Sequence, residues 1–261
     1  MFMVENPNLD DWKTLQYFVY RLFTEIGFTA QEEAVLQTPR GVVEVDVYAV
    51  DENSVDKIRY IVECKCWTAT VHQGVVHAFT TVMQETGTNI GFIVSKAGLQ
   101  TGAIRYTTNT NIVGITFNEL QNRYFDSWWK NHFCHAIAEK EENVLSSTAP
   151  FNFRRDAALE NLAEDKIKLF FNIERNYGAF SKFIWTRDFR TISPLFGKRS
   201  PGISQIEEYK EKLSDLLEGH ITFRATCWRE LLDEMCGWLD EVEQSLRKLF
   251  GCDTFQYLLQ D

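Results

Sequence analysis

Two short runs, Glu44-Val45-Asp46-Val47-Tyr48 and Ile61-Val62-Glu63-Cys64-Lys65-Cys66-Trp67, alternate valine, isoleucine, cysteine and aromatic residues with charges at a period of two. That period belongs to strands, and it dictates which residues share a face. In the first run Val43, Val45, Val47 and Ala49 point one way, and Glu44, Asp46 and Tyr48 the other. In the second, Val62, Cys64 and Cys66 oppose Ile61, Glu63, Lys65 and Trp67. The intervening Asp51–Lys57 is polar enough for a hairpin loop. Pairing of the two strands brings Asp46, Glu63 and Lys65 onto one face, because cross-strand neighbours lie roughly 5 Å apart. A Glu-x-Lys on a strand is most often a simple ion pair at a sheet surface. Here the flanks are apolar, so the charges are expected to be half-buried, where an unpaired ion costs on the order of several kcal/mol. Two carboxylates beside a lysine can hold a divalent metal next to a nucleophilic water, a grouping suited to phosphodiester hydrolysis.

The 261 residues can form one large domain or two modest ones with ample core. A net charge of −10, spread over both halves, argues against a general nucleic-acid coat protein. It does not exclude a nuclease, since a bound metal and local basic groups offset the field near a site. The six cysteines, at 64, 66, 134, 227, 236 and 252, form no C-x2-C pair and have no histidine-rich partner stretch, so no zinc pattern results. Buried free thiols in a reducing cytoplasm are the expectation. The first residues show no basic region followed by an apolar run, so no secretory signal is expected. No stretch reaches the ~20 apolar residues of a membrane span.

Along the chain, Asp10 or Asp11 can cap a helix over 12–26, whose apolar stripe includes Leu15, Val19, Leu22 and Phe23, and Gly27 stops it. A strand at 33–37, a turn at 38–41 and the two charged strands follow. A helix is predicted over 71–86, a near-continuous apolar strand over 89–95, a helix near 100–109 and a strand over 111–116. Another helix is predicted to begin at Phe117. The order α-β-β-β-α-β-α-β gives an α/β fold, a mixed sheet flanked by helices. Ser146-Ser147-Thr148-Ala149-Pro150 reads as a linker. Beyond it helices are predicted over 156–177, 204–218 and 223–250, an all-α region.

With these elements in order, residues 12–125 resemble the Mrr-like restriction endonuclease domain of the PD-(D/E)xK nuclease superfamily. The carrying residues are the first helix ending in Ile26-Gly27-Phe28, the Glu44-Val45-Asp46 strand, Val62-Glu63-Cys64-Lys65 with Trp67 after it, and the helix at 71–86. Ile93-Val94-Ser95-Lys96-Ala97-Gly98, Ala103-Ile104-Arg105-Tyr106 and Ile112-Val113-Gly114-Ile115 follow the family's closing segments. The resemblance implies a restriction-endonuclease-like fold over residues 1–140, with 141–261 as a helical domain for assembly, regulation or target binding. It implies that Asp46 and Glu63 bind Mg²⁺ or Mn²⁺; magnesium's preference for oxygen ligands makes the backbone carbonyl of Cys64, between the two charged residues, a candidate third ligand. Lys65 would orient or deprotonate the attacking water. The first helix carries neutral Gln16 where such domains often have an acid, which makes a second metal less expected. Glu44 could substitute, or be a solvated strand-edge carboxylate.

His77, four residues after Gln73, together with Lys96 and Arg105, can contact phosphates or play surface roles. Lys182, Arg187, Arg190, Lys198 and Arg199, interleaved with Phe183, Trp185, Phe189 and Phe196, read either as a nucleic-acid surface or as core aromatics with solvated charges. Leu231, Leu232, Met235, Leu239, Val242, Leu246, Leu249 and Phe250 form a stripe that is either core or a dimer seam. The leading expectation is a cytoplasmic, metal-dependent endodeoxyribonuclease acting on DNA in restriction or anti-phage defence. Its expected partners are a second copy, as homodimer or larger oligomer, and a defence-system protein, with no membrane. The alternatives are a nuclease-fold binding or assembly module with a weakened site, or a junction resolvase or RNase of the same fold.

Overall fold

The computed structural model describes residues 3–6, 9, 11–148, 151–186, 205–217 and 221–251. Asp11 caps the first helix, α1 (Trp12–Glu25), its Oδ1 accepting from the Thr14 N–H at 2.8 Å. Leu15, Val19, Leu22 and Phe23 form the buried stripe of α1. The chain leaves through Gly27 at φ +99, a conformation that side chains disfavour. Five strands follow in the order of the sheet itself: β1 (Thr29–Thr38), β2 (Gly41–Asp51), β3 (Ile58–Lys65), β4 (Ile90–Ser95) and β5 (Ile112–Thr116). The first two pairings are antiparallel and the last two parallel. Parallel neighbours need crossovers, supplied by α2 (Gln73–Thr86) and α3 (Thr101–Thr107).

Helices cover both faces. α1 packs on β1, β2 and β3, and α4 (Phe117–Trp128) on β4 and β5. On this side Phe23 meets Tyr60, Phe92 and Tyr124 edge to face. On the other side Ile61 and Ile93 pack with Val76, Phe79 and Met83 of α2. The predicted mixed sheet flanked by helices is the fold that forms.

Element ends differ from the sequence pattern where a tertiary partner decides. β1 begins at Thr29 rather than Glu33, because Gln31, Glu32 and Glu33 lie on an edge strand that tolerates charge. α2 begins at Gln73; Val71, fully buried, instead bridges the chain at Leu99, donating to Gly98 and accepting from Gln100.

The chain divides into two compact units, Met1–Asn131 and His132–Asp261. The division falls within a π-helical turn, Trp129–Phe133, between α4 and α5 (Cys134–Thr148). Ser146, Ser147 and Thr148, expected in a linker, are the buried last turn of α5. There the Thr148 hydroxyl donates back to the Val144 carbonyl, which fits hydroxyl residues to a helix end. The rest of that linker, Ala149 and Pro150, lies outside the described residues.

The second unit is helical: α6 (Phe153–Leu159), α7 (Glu164–Thr186), α8 (Ile206–Leu216) and α9 (Trp228–Phe250). The single helix expected over 156–177 is broken between α6 and α7. The α9 stripe from Leu231 to Leu249 is buried as core. Arg187, Phe189, Arg190, Phe196, Lys198, Arg199 and Cys252 lie outside the described residues, as do the side chains of Lys182, Phe183 and Trp185. The other five cysteines are free thiols.

Gly91 on β4 is a close-approach glycine. A Cβ there would sit 2.5 Å from the Phe79 ring and 2.6 Å from the Met83 sulfur. Gly91→Ala should therefore cost about 1–3 kcal/mol by overpacking α2. The expected result is a lower urea midpoint with an unchanged slope.

Candidate active site

β2 and β3 pair as far as Val47 opposite Val62, and Asp46 is the next residue along β2. At that point the Asp46 carboxylate Oδ2 accepts the Cys64 backbone N–H at 2.6 Å. β3 stays in register with β4 for three further residues, to Lys65 opposite Ser95, and the Lys65 carbonyl accepts from the Lys96 N–H. The candidate residues thus sit at the carboxyl end of the parallel strands, where open α/β sheets leave their crevice.

The structure brings the three expected residues together. The Lys65 ammonium pairs with Glu63 Oε1 and lies 5.6 Å from the centre of the Trp67 ring. A cleft of about 390 Å³ is lined by Asp46, Cys64, Lys65, Cys66 and Trp67, with Asp11 and Trp12 from the start of α1. Glu63 lines a second depression, of about 360 Å³, that shares Lys65 and Trp67 and is walled by His72 and α2.

Burial holds the Asp46 carboxyl above its ordinary value, with the neighbouring charge of Glu63 adding to the rise; the Cys64 N–H and Lys65 oppose it. Burial pushes the Cys64 thiol far up, helped by Asp46 and Glu63. The buried thiol points into the core, and the backbone carbonyl of Cys64 remains as a candidate donor at the site.

Among the described residues no group of three or more His, Cys, Asp or Glu side chains gathers into a metal cage. The donor set is instead two carboxylates, and it fits an ion of the magnesium class. Such ions are usually held by one or two carboxylates and keep several waters. Two carboxylates, Asp46 and Glu63, share one neighbouring ammonium, Lys65, and a divalent cation would balance the remaining negative charge.

The remaining candidates are placed less centrally. Gln16 is 2% exposed, and its Oε1 has no hydrogen-bond partner. Glu44 is exposed on β2 and acts on Asp46 only through its charge. His77 is exposed, hydrogen-bonded to Gln73 at 3.0 Å and packed on the Tyr106 ring. Lys96 donates to the Leu9 carbonyl at 2.8 Å, which ties the N-terminal segment to the end of β4. Arg105 is exposed in the last turn of α3. Sequence reasoning missed Trp12 as a cleft residue. Its only sequence signal is a large aromatic at the first, exposed position of a helix.

The Asp46 shift gives a signed test. Because the folded carboxyl ionises less readily than the unfolded one, stability falls as pH rises from the ordinary 3.8 through the folded value. Asp46→Asn removes this cost and keeps an oxygen for the Cys64 N–H. In chelator at neutral pH the variant should melt above the parent protein, and the gain should vanish as pH is lowered towards 3.8. Equal melting temperatures at neutral pH would contradict the burial of this charge.

Residues 9–124 match the model of the Mrr catalytic domain family, described as restriction endonuclease. No curated protein matches the chain. Among solved structures, the chain is similar to one titled as the crystal structure of a protein of unknown function, AF1548. The two share 12% identity, with 93% of this chain and 100% of that one covered, at a TM-score of 0.38 that is too low to establish a common fold. The strand order, the cleft at the ends of β2 and β3 and the match to the Mrr catalytic, restriction-endonuclease family coincide on one segment, residues 9–124.

Proposed function

We propose that this protein is a divalent-metal-dependent endodeoxyribonuclease that hydrolyses DNA phosphodiester bonds in restriction or anti-phage defence. The observation that carries the reading is the convergence of Asp46, Glu63 and Lys65 at one end of the sheet, inside a domain of the nuclease family. Asp46, Glu63 and the Cys64 carbonyl would hold magnesium or manganese, which supplies charge stabilisation at the phosphoryl oxygens and a more acidic water.

The chain's own residues supply the rest. The Cys64 N–H fixes the Asp46 carboxylate at the rim of the cleft, so its remaining lone pairs face one place. Glu63 and the Trp67 ring hold the Lys65 ammonium. From there Lys65 can orient a water for in-line attack, or take its proton when desolvated.

In this reading the catalytic domain expected over residues 1–140 is the compact unit Met1–Asn131, the 140/141 boundary falling inside α5, and the helical unit after it serves assembly, regulation or target binding, with a homodimer or larger oligomer and a defence-system protein as partners. Free thiols at the described cysteines support a reducing, cytoplasmic setting. No described helix is long and apolar enough to cross a membrane.

Lys65→Ala and Asp46→Ala should each lower DNA cleavage by roughly 10²-fold or more with the fold intact. EDTA should silence the parent protein, and magnesium or manganese should restore it. Plasmid nicking by folded Lys65→Ala at the parental rate would overturn the assignment. A fragment ending at Asn131, where the first compact unit ends, should keep cleavage that depends on Lys65; failure of that fragment to fold would move the domain boundary.

A further inference from the structure

Trp67 carries two neighbours on its ring. The Lys65 ammonium lies 5.6 Å from the ring centre, and the His72 imidazole stacks on it with centroids 6.0 Å apart and planes at 26°. His72 is the residue before α2, and Gly74 makes room for it. A Cβ on Gly74 would sit 3.1 Å from His72 Nδ1 and 3.2 Å from Cε1. The imidazole is therefore held on two sides, by an indole and by the first turn of α2. It is nonetheless exposed, and its ring makes no hydrogen bond among the described residues.

The other polar groups nearby are engaged. Lys65 is paired with Glu63, Lys13 with Glu33, and Lys96 donates to the Leu9 carbonyl. His77, one turn further along α2, is bonded to Gln73. His72 lines the depression of about 360 Å³ that also holds Glu63 and Lys65, so it opens onto the same space as two of the three central charges. An imidazole presents at least one N–H whether neutral or charged. Packing has already removed the rotamer freedom of this one, so little entropy is lost when it meets a ligand.

We infer that His72 is a phosphate-binding residue of the cleft. Its N–H donates to a phosphodiester oxygen of duplex DNA, next along the strand from the phosphate that Lys65 and the two carboxylates address. This role rests on the assignment of Asp46, Glu63 and Lys65 to phosphodiester cleavage. A backbone contact of this kind reads no base; it sets the register of the duplex on the site.

The test uses the full chain. In chelator, where nothing is cut, the affinity for a labelled duplex is measured across a salt titration. His72→Ala should weaken binding roughly tenfold, the size of one hydrogen bond to a charged group. His72→Arg should restore affinity and steepen the log–log salt dependence by about one unit, as one further phosphate is neutralised. His72→Ala at parental affinity, or His72→Arg with an unchanged slope, would overturn the inference. With magnesium or manganese added, end-labelled duplexes carrying one uncharged methylphosphonate linkage at successive positions are cut and the cuts mapped. One neutral linkage beside the cut should depress cleavage by the parent protein and cease to do so in His72→Ala. An identical pattern in both proteins would overturn the phosphate contact and leave the nuclease assignment standing. Binding that depends on His72, with no cleavage by the parent protein, would support the contact and overturn the nuclease assignment.

Discussion

The hydrogen bond from the Cys64 backbone N–H to the Asp46 carboxylate is the contact on which the site depends. It occurs where the β2–β3 ladder ends, so a side chain takes over the donor that the next backbone rung would have used. The strands can then part without leaving a buried N–H unpaired, a loss that would cost about 1–3 kcal/mol. The same bond aims a carboxylate into the gap. Sheet termination and placement of the acid are therefore one event, and the cleft exists because β3 continues along β4 while β2 leaves it.

The charges at this gap are arranged in opposition. Glu63 is neutralised by Lys65, whereas Asp46 keeps only a backbone dipole as its direct partner and is raised by burial. Hydrophobic packing beneath, with Ile61 and Ile93 against α2, holds the strand ends rigid enough for that imbalance to persist. In the proposed nuclease reading, this charge arrangement is one that a bound cation and a phosphate would complete, which is how binding energy would become available for chemistry.

Much of this was legible in the sequence. The period-two alternation assigned Glu63 and Lys65 to one face, and it did so because both strands are covered by helices, leaving few polar positions to confuse the pattern. The apolar run at β4 read correctly for the same reason. β1 was half hidden, since at a sheet edge charge and strand coexist and periodicity loses contrast. The start of α2 was misplaced because Val71 is apolar for the sake of a bridge to Leu99, a partner remote in sequence. Trp12 could not be recognised as part of the cleft, since nothing local distinguishes an aromatic on open surface from one that lines a cleft. The Ser146–Thr148 reading failed because serine and threonine suit helix ends as well as linkers, and burial alone separates the two.

The edge position of β1 has a further consequence. An edge strand ten residues long is a template on which a second chain can add hydrogen bonds without limit, the first step of aggregation. Here Glu33 sits mid-strand at φ +49, interrupting the flat backbone a second strand would need, and it is bridged to Lys13 of α1. Glu32 beside it carries a carboxyl raised by partial burial and by the charge of Glu33, so pressing another strand against this pair would bury more of the same repulsion. The acids that obscured the strand in the sequence are thus the ones that keep the folded sheet from growing.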